Sequence, residues 1–121
     1  MELSQLEIQL LNAVAEATVY KDIANHVFEL KIKARSDTKL GVNIIFEYNA
    51  NSSPLLKEGE PLEALLSAPK VIALPQLKNG LGFVLDIESG LITSLDIYVN
   101  DISEKWDKSI GDFSIIDKGS N

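Results

Sequence analysis

An α+β domain is the fold this sequence predicts, with an N-terminal helix packed on one face of an antiparallel, mostly meander sheet of five or six strands. Three observations predict it. An apolar stripe of helical spacing occupies residues 5–17, the alternation changes to period two from His26 onward, and two turn signals, Asn79-Gly80 and Ser89-Gly90, punctuate the longest alternating stretch.

Ser4-Gln5-Leu6-Glu7 has the form of a capping box, in which Ser4 accepts from the amide three residues on and Glu7 reaches back. Leu3, Leu6, Leu10, Ala13, Val14 and Ala17 then share one helical stripe, widened by Ile8 and Leu11. Residues 18–25 read as a connection. From His26, Phe28, Leu30, Ile32 and Ala34 point one way while Glu29, Lys31, Lys33 and Arg35 point the other. After a turn around Ser36-Asp37-Thr38, Val42, Ile44, Phe46 and Tyr48 alternate with Asn43, Glu47 and Asn49. Two antiparallel strands with one wet face follow from this pattern. Lys31, Lys33 and Arg35 make a basic stripe, which solvation or pairing with Glu47 explains without an anion site. Lysines on an edge also discourage sheet-to-sheet aggregation.

The stretch 49–60 (NANSSPLLKEGE) reads as a loop. Pro61 is expected to start a short helix that turns Leu62, Leu65 and Leu66 inward and stops at Pro69. Val71-Ile72-Ala73-Leu74 reads as a strand, and Pro75 limits how far it pairs. A two-residue turn at Asn79-Gly80 sets Leu74 opposite Leu85 and Ile72 opposite Ile87.

At the second turn the register is decided by the apolar residues. A two-residue loop at Ser89-Gly90 sets Ile87 opposite Ile92 and Phe83 opposite Asp96, which buries acid. A three-residue loop, Glu88-Ser89-Gly90, pairs Ile87 with Leu91, Leu85 with Thr93, Phe83 with Leu95 and Leu81 with Ile97. The three-residue loop is therefore expected, with Gly90 left-handed. The opposite face then carries Val84, Asp86, Glu88, Ile92, Ser94, Asp96 and Tyr98. In that register Asp86 and Asp96 lie roughly 13 Å apart, too far to share a proton.

Residues 101–108 are charged and turn-like, and Trp106 reads as a cap over the sheet edge, with a ligand platform as the other reading. Phe113, Ile115 and Ile116 suit a last edge strand, and 118–121 a frayed tail. The whole of 1–121 is expected to form one domain.

Composition narrows the function. The chain has no cysteine, which excludes disulfides and thiolate chemistry and suits the cytoplasm. MELSQLEIQL lacks the basic start of a signal peptide, and no apolar run approaches the roughly 20 residues of a membrane helix. A net charge of −7 argues against a nucleic-acid partner, and the lack of a long apolar run against a membrane one. From 82 to 117 eight acids face only Lys105 and Lys108, a field that attracts cations.

Catalytic groupings do not emerge. His26 is the single histidine and has no companion ligands at metal spacing and no G-x-S-x-G elbow to serve. Lys78-Asn79-Gly80-Leu81-Gly82 lacks the Lys-Ser/Thr pair of a phosphate loop. No enzymatic activity, cofactor or metal is expected.

The hairpin GFVLDIESGLITSLDIYVND resembles the C-terminal hairpin of small bacterial proteins of the antitoxin and toxin-immunity type. The residues that carry the likeness are Gly82-Phe83, Gly90, Leu95-Asp96 and Tyr98. It implies a small α+β protein that neutralises a toxin by binding it; such families bind through divergent surfaces, so no site residue is carried across. On the residues themselves, an acidic surface made of Asp86, Glu88, Asp96, Tyr98, Asp101 and Trp106 is expected to meet a cationic protein partner. Two other readings stay open. One is a small-ligand pocket between the helix and the sheet, walled by Tyr48, Tyr98 and Trp106. The other is a homodimer formed through an exposed edge strand.

Overall fold

The computed structural model describes residues 2–18, 20, 23–27, 30–47 and 63–118. Helix α1 (Gln5–Ala17) begins where the capping box places it. The Ser4 amide donates to Glu7 Oε1 at 2.7 Å, and the Glu7 amide donates to Ser4 Oγ at 3.2 Å. Leu6, Leu10, Leu11, Val14 and Ala15 form its buried side. A four-residue helix, α2 (Ile23–His26), follows. His26 thus ends a helical turn and does not open a strand. The reason is the spacing of Ile23 and Val27, four residues apart, which sends both into the core.

Among the described residues seven strands make one antiparallel sheet: β1 (Lys31–Asp37), β2 (Gly41–Glu47), β3 (Ala64–Leu66), β4 (Lys70–Leu74), β5 (Leu77–Glu88), β6 (Leu91–Val99) and β7 (Ser114–Asp117). The order is β1-β2-β6-β5-β4-β7, with β3 also paired to β5. That is more strands than the sequence predicts, and only β4-β5-β6 run as a consecutive meander. Non-local pairing of β2 with β6 and of β7 with β4 completes the sheet.

The short helix expected to start at Pro61 and stop at Pro69 is not what residues 64–66 form. They are β3, with Ala64 opposite Ile87 and Leu66 opposite Leu85, both packed against the core, while Leu65 points outward at 74% exposure. β3 and β4 lie along one edge of β5, and Ser67 Oγ bridges the break between them by donating to the Phe83 carbonyl at 2.7 Å. The expected loop 49–60, together with Phe28, Glu29, Tyr48, Pro61, Leu62 and 119–121, lies outside the described residues.

Both expected hairpin registers are corrected, and β-bulges are the reason. The β5–β6 turn is a two-residue one, with Ser89 and Gly90 at φ of 51° and 77°, the primed geometry that suits strand twist. Ile87 faces Ile92, but Asp86 faces Ser94, leaving Thr93 as an extra residue whose Oγ1 donates to the Asp86 carbonyl at 3.1 Å. Beyond it Leu85 faces Leu95 and Phe83 faces Ile97. The bulge reverses the alternation of β6, so Ile92 and Leu95 are both buried although three residues apart. Ile92 therefore belongs to the core and not to the opposite face.

Asn79-Gly80 is likewise not a turn. The chain reverses at Pro75-Gln76, so Leu74 faces Leu77 and Ile72 faces Leu81. Proline pre-sets the φ that a turn's second position needs. Gly80, at φ 67°, absorbs the resulting irregularity, and the amides of Lys78 and Asn79 donate to the Glu104 carboxylate at 2.7 and 2.9 Å.

A third irregularity sits in β1. Ile32 faces Phe46 but Ala34 faces Ile45, so Lys33 is the bulged residue and Arg35 comes opposite Ile44, on the core side. The basic stripe is broken. Its pairing is also corrected: Arg35 meets Glu7 and not Glu47, and Lys31 is the residue opposite Glu47.

One apolar cluster joins α1, α2, the core face of the sheet and Trp106. Among the described residues no helix is long and apolar enough to cross a membrane.

Candidate functional site: the open face of the sheet

The side of the sheet away from α1 is built by residues that the core cluster excludes. Gly82, Val84, Asp86 and Glu88 come from β5, Ser94, Asp96 and Tyr98 from β6, and Gly41, Asn43, Ile45 and Glu47 from β2. The register sets these in rows. Ile45, Ser94, Asp86 and Leu65 form one, Asn43, Asp96 and Val84 the next, and Gly41, Tyr98 and Gly82 the third.

Each row has its own character. In the third, Gly82 leaves room for the Tyr98 ring, which lies so close that a Cβ there would meet Cε2 at 2.7 Å, while a Cβ at Gly41 would meet the Ile97 backbone. Tyr98 stays 36% exposed. In the second, Asn43 Nδ2 donates to Asp96 Oδ1, which fixes that carboxylate from the neighbouring strand. In the first, Leu65 lies beside Asp86 and Ile45 beyond Ser94 at the other end of the row, both exposed.

Asp86 and Asp96 are diagonal neighbours. Asp96 sits opposite Val84, two residues from Asp86, so the backbone positions are about 7–8 Å apart by sheet geometry. The roughly 13 Å expected for the other register is corrected by the Thr93 bulge. Two carboxylates at this spacing present a joint negative charge to a single incoming cation.

Of the six residues singled out from the sequence, Asp86, Asp96 and Tyr98 come together here, and Glu88 is exposed at the turn end of the same face. Asp101 and Trp106 do not join them. Asp101 spends its carboxylate on Ser103 N and Oγ at 2.9 and 2.7 Å and on Asn79 Nδ2 at 3.1 Å. The Ser103 hydrogen bonds hold it below the usual carboxylate range. Trp106 is 8% exposed, its Nε1 donating to the Ser109 carbonyl at 2.8 Å, which fits a cap over the core. Tyr98 lies on the other face, so these two aromatics do not wall one pocket between α1 and the sheet.

Sequence reasoning left out Asn43, Ile45 and Leu65. The alternation of β2 places Asn43 on a wet face; only the β2–β6 pairing shows whose neighbour it is. Among the described residues no group of three His, Cys, Asp or Glu side chains stands ready to hold a metal ion. Comparison with protein-family models, with curated proteins and with solved structures returns no match to the chain.

Proposed function

We propose that the chain is a non-enzymatic protein-binding module, of the antitoxin or immunity type, which covers the cationic site of a toxin with the open face of its sheet. One observation carries this reading: Asp86, Glu88 and Asp96 stand among Ile45, Leu65 and Tyr98 on a face that contributes nothing to the core. Carboxylates steer a basic partner and select against others, while the apolar side chains supply the area that holds it. None of the residues named above for this face from β2, β5 and β6 is a lysine or arginine; Lys31 stands opposite Glu47 on the neighbouring strand. Binding takes place in the cytoplasm, where a chain without cysteine loses nothing to the reducing conditions.

Co-purification of the tagged chain from its native cell, followed by mass spectrometry, identifies the partner. The expected result is a basic protein whose association weakens with salt, is lost in the Asp86→Lys/Asp96→Lys variant and survives Lys33→Glu. Retention by the double variant, or an association indifferent to salt, contradicts the proposal.

A further inference from the structure

A groove of about 340 Å³ opens where residues 38–40, between β1 and β2, meet the segment that follows β6. Its walls are mixed: Leu40, Val99, Ile102 and Trp106 are apolar, and Lys39, Glu104, Lys105 and Lys108 are charged. Leu40 and Ile102 are 40% and 78% exposed there, and Trp106 and Val99 join it to the core. Concave apolar walls with a few polar groups are what small-molecule sites are made of.

Three ammonium groups border this groove in a chain of net charge −7. Among the described residues Lys39 and Lys105 have no ion-pair or hydrogen-bond partner. Lys108 donates to the Thr38 carbonyl at 3.2 Å and stands 5.6 Å from the centre of the Trp106 ring. The one carboxylate in the lining, Glu104, is occupied by the amides of Lys78 and Asn79. The lining itself thus carries three ammonium groups against one carboxylate, while the flanking Asp101 and Asp107 carboxylates are turned to Ser103 and Ser109.

Lys108 also has a φ of 71°, a left-handed conformation that a lysine seldom adopts. Its neighbour Ser109 is drawn back by Asp107, whose Oδ1 accepts from both Ser109 N and Oγ, at 2.9 and 2.5 Å. This turn holds the ammonium over Trp106. Residues kept in strained conformations by their surroundings cluster at ligand clamps.

We propose that this groove binds a small organic anion, a carboxylate or phosphate monoester carried on an apolar body. Lys39, Lys105 and Lys108 take the headgroup, and Trp106, Leu40 and Ile102 take the body. The site is separate from the open sheet face and stands or falls without it.

Trp106 is the single tryptophan of the chain, so its emission reports on the groove. The full chain is titrated with sodium octanoate and with octyl phosphate, and with octylamine and octanol as controls of equal chain length. A saturable change with at least one anion is expected, weakened tenfold or more in Lys39→Gln/Lys105→Gln, with little response to either control. The tighter of the two anions identifies the headgroup. Thermal melts compare the variants with the parent, and if the double variant melts early, Lys105→Gln alone makes the comparison, with a threefold or greater loss expected. No saturable response to either anion, an equal response to octylamine or octanol, or unchanged affinity in the variants overturns the proposal.

Discussion

The Glu7 carboxylate on α1 accepts two hydrogen bonds from the Arg35 guanidinium on β1, at 2.6 and 2.9 Å, while also closing the helix cap with the Ser4 amide. Arg35 adds a third bond, to the Glu2 carbonyl at 2.7 Å. One acidic residue therefore caps the start of the helix and ties it to the sheet.

Arg35→Met should cost about 1–2 kcal/mol in urea unfolding, because it leaves the Glu7 carboxylate, 4% exposed, without its cation, although the Arg35 end of the pair meets water. Lys33→Met, at the exposed bulge, should change stability by less than about 0.5 kcal/mol. The hydrogen bond to Glu7 raises the Arg35 pKa above its already high ordinary value. A raised pKa means that this contribution is complete below the unfolded value and is lost only as pH climbs through the folded one. Stability assigned to Arg35 should therefore be flat from neutral to moderately alkaline pH. Equal effects of the two substitutions would contradict the pairing.

Leu10 is fully buried, so Leu10→Ala should lose about 2–5 kcal/mol, and Leu10→Asp should leave no cooperative transition. Circular dichroism during thermal melting reads both. A Leu10→Asp protein with a normal melt would displace α1 from the core.

Two glycines with positive φ should behave differently when replaced by alanine. At Gly80 (φ 67°) a Cβ would stand 2.4 Å from the Ile72 carbonyl oxygen; at Gly111 (φ 52°) it would meet nothing within 4 Å. Gly111→Ala should cost about 1 kcal/mol of conformational strain alone. Gly80→Ala should cost at least about twice that, because backbone on β4 must also move. Matching losses in urea titrations would place the bulge elsewhere.

Ser89 holds φ 51° in a two-residue turn, where asparagine is better suited. Ser89→Asn should stabilise by about 0.5 kcal/mol, a gain that a three-residue loop with Ser89 right-handed would not produce. The midpoint of urea unfolding measures it.

Acid should loosen the segment between β6 and β7. Asp101 and Asp107 have lowered pKa values, chiefly through the hydroxyls of Ser103 and Ser109. A lowered pKa gives stability that is present above the unfolded value of 3.8 and lost as pH falls through the folded one. Trp106 emission should shift before far-ultraviolet circular dichroism does as pH drops below about 4. Simultaneous change in both signals would tie that segment to the global transition.

The helix and the strand sites were legible in the sequence to the extent that one local rule governed them. Ser4 and Glu7 form the cap that their spacing requires, and Leu81, Phe83, Leu85 and Ile87 all face the core. Period-two reasoning failed wherever the alternation changed phase. Thr93, Lys33 and Gly80 each mark such a change, and each moved a register or turned a side chain over. One trace of it was visible: Ile92 and Leu95 are three apart, a spacing that no regular strand sends to one side. Arg35 was misplaced for the same reason. Asn43, Ile45 and Leu65 joined the open face through pairings between distant segments, which local pattern does not encode.

The decisive measurement is a set of cross-strand nuclear Overhauser contacts in the β5–β6 hairpin. If the Thr93 bulge sends Leu95 and Ile97 inward and leaves Asp96 and Tyr98 outside, contacts should link Leu85 with Leu95 and Phe83 with Ile97. Contacts linking Phe83 with Leu95 and Leu85 with Thr93 would remove the bulge, move Asp86 away from Asp96 and take the proposed docking face apart.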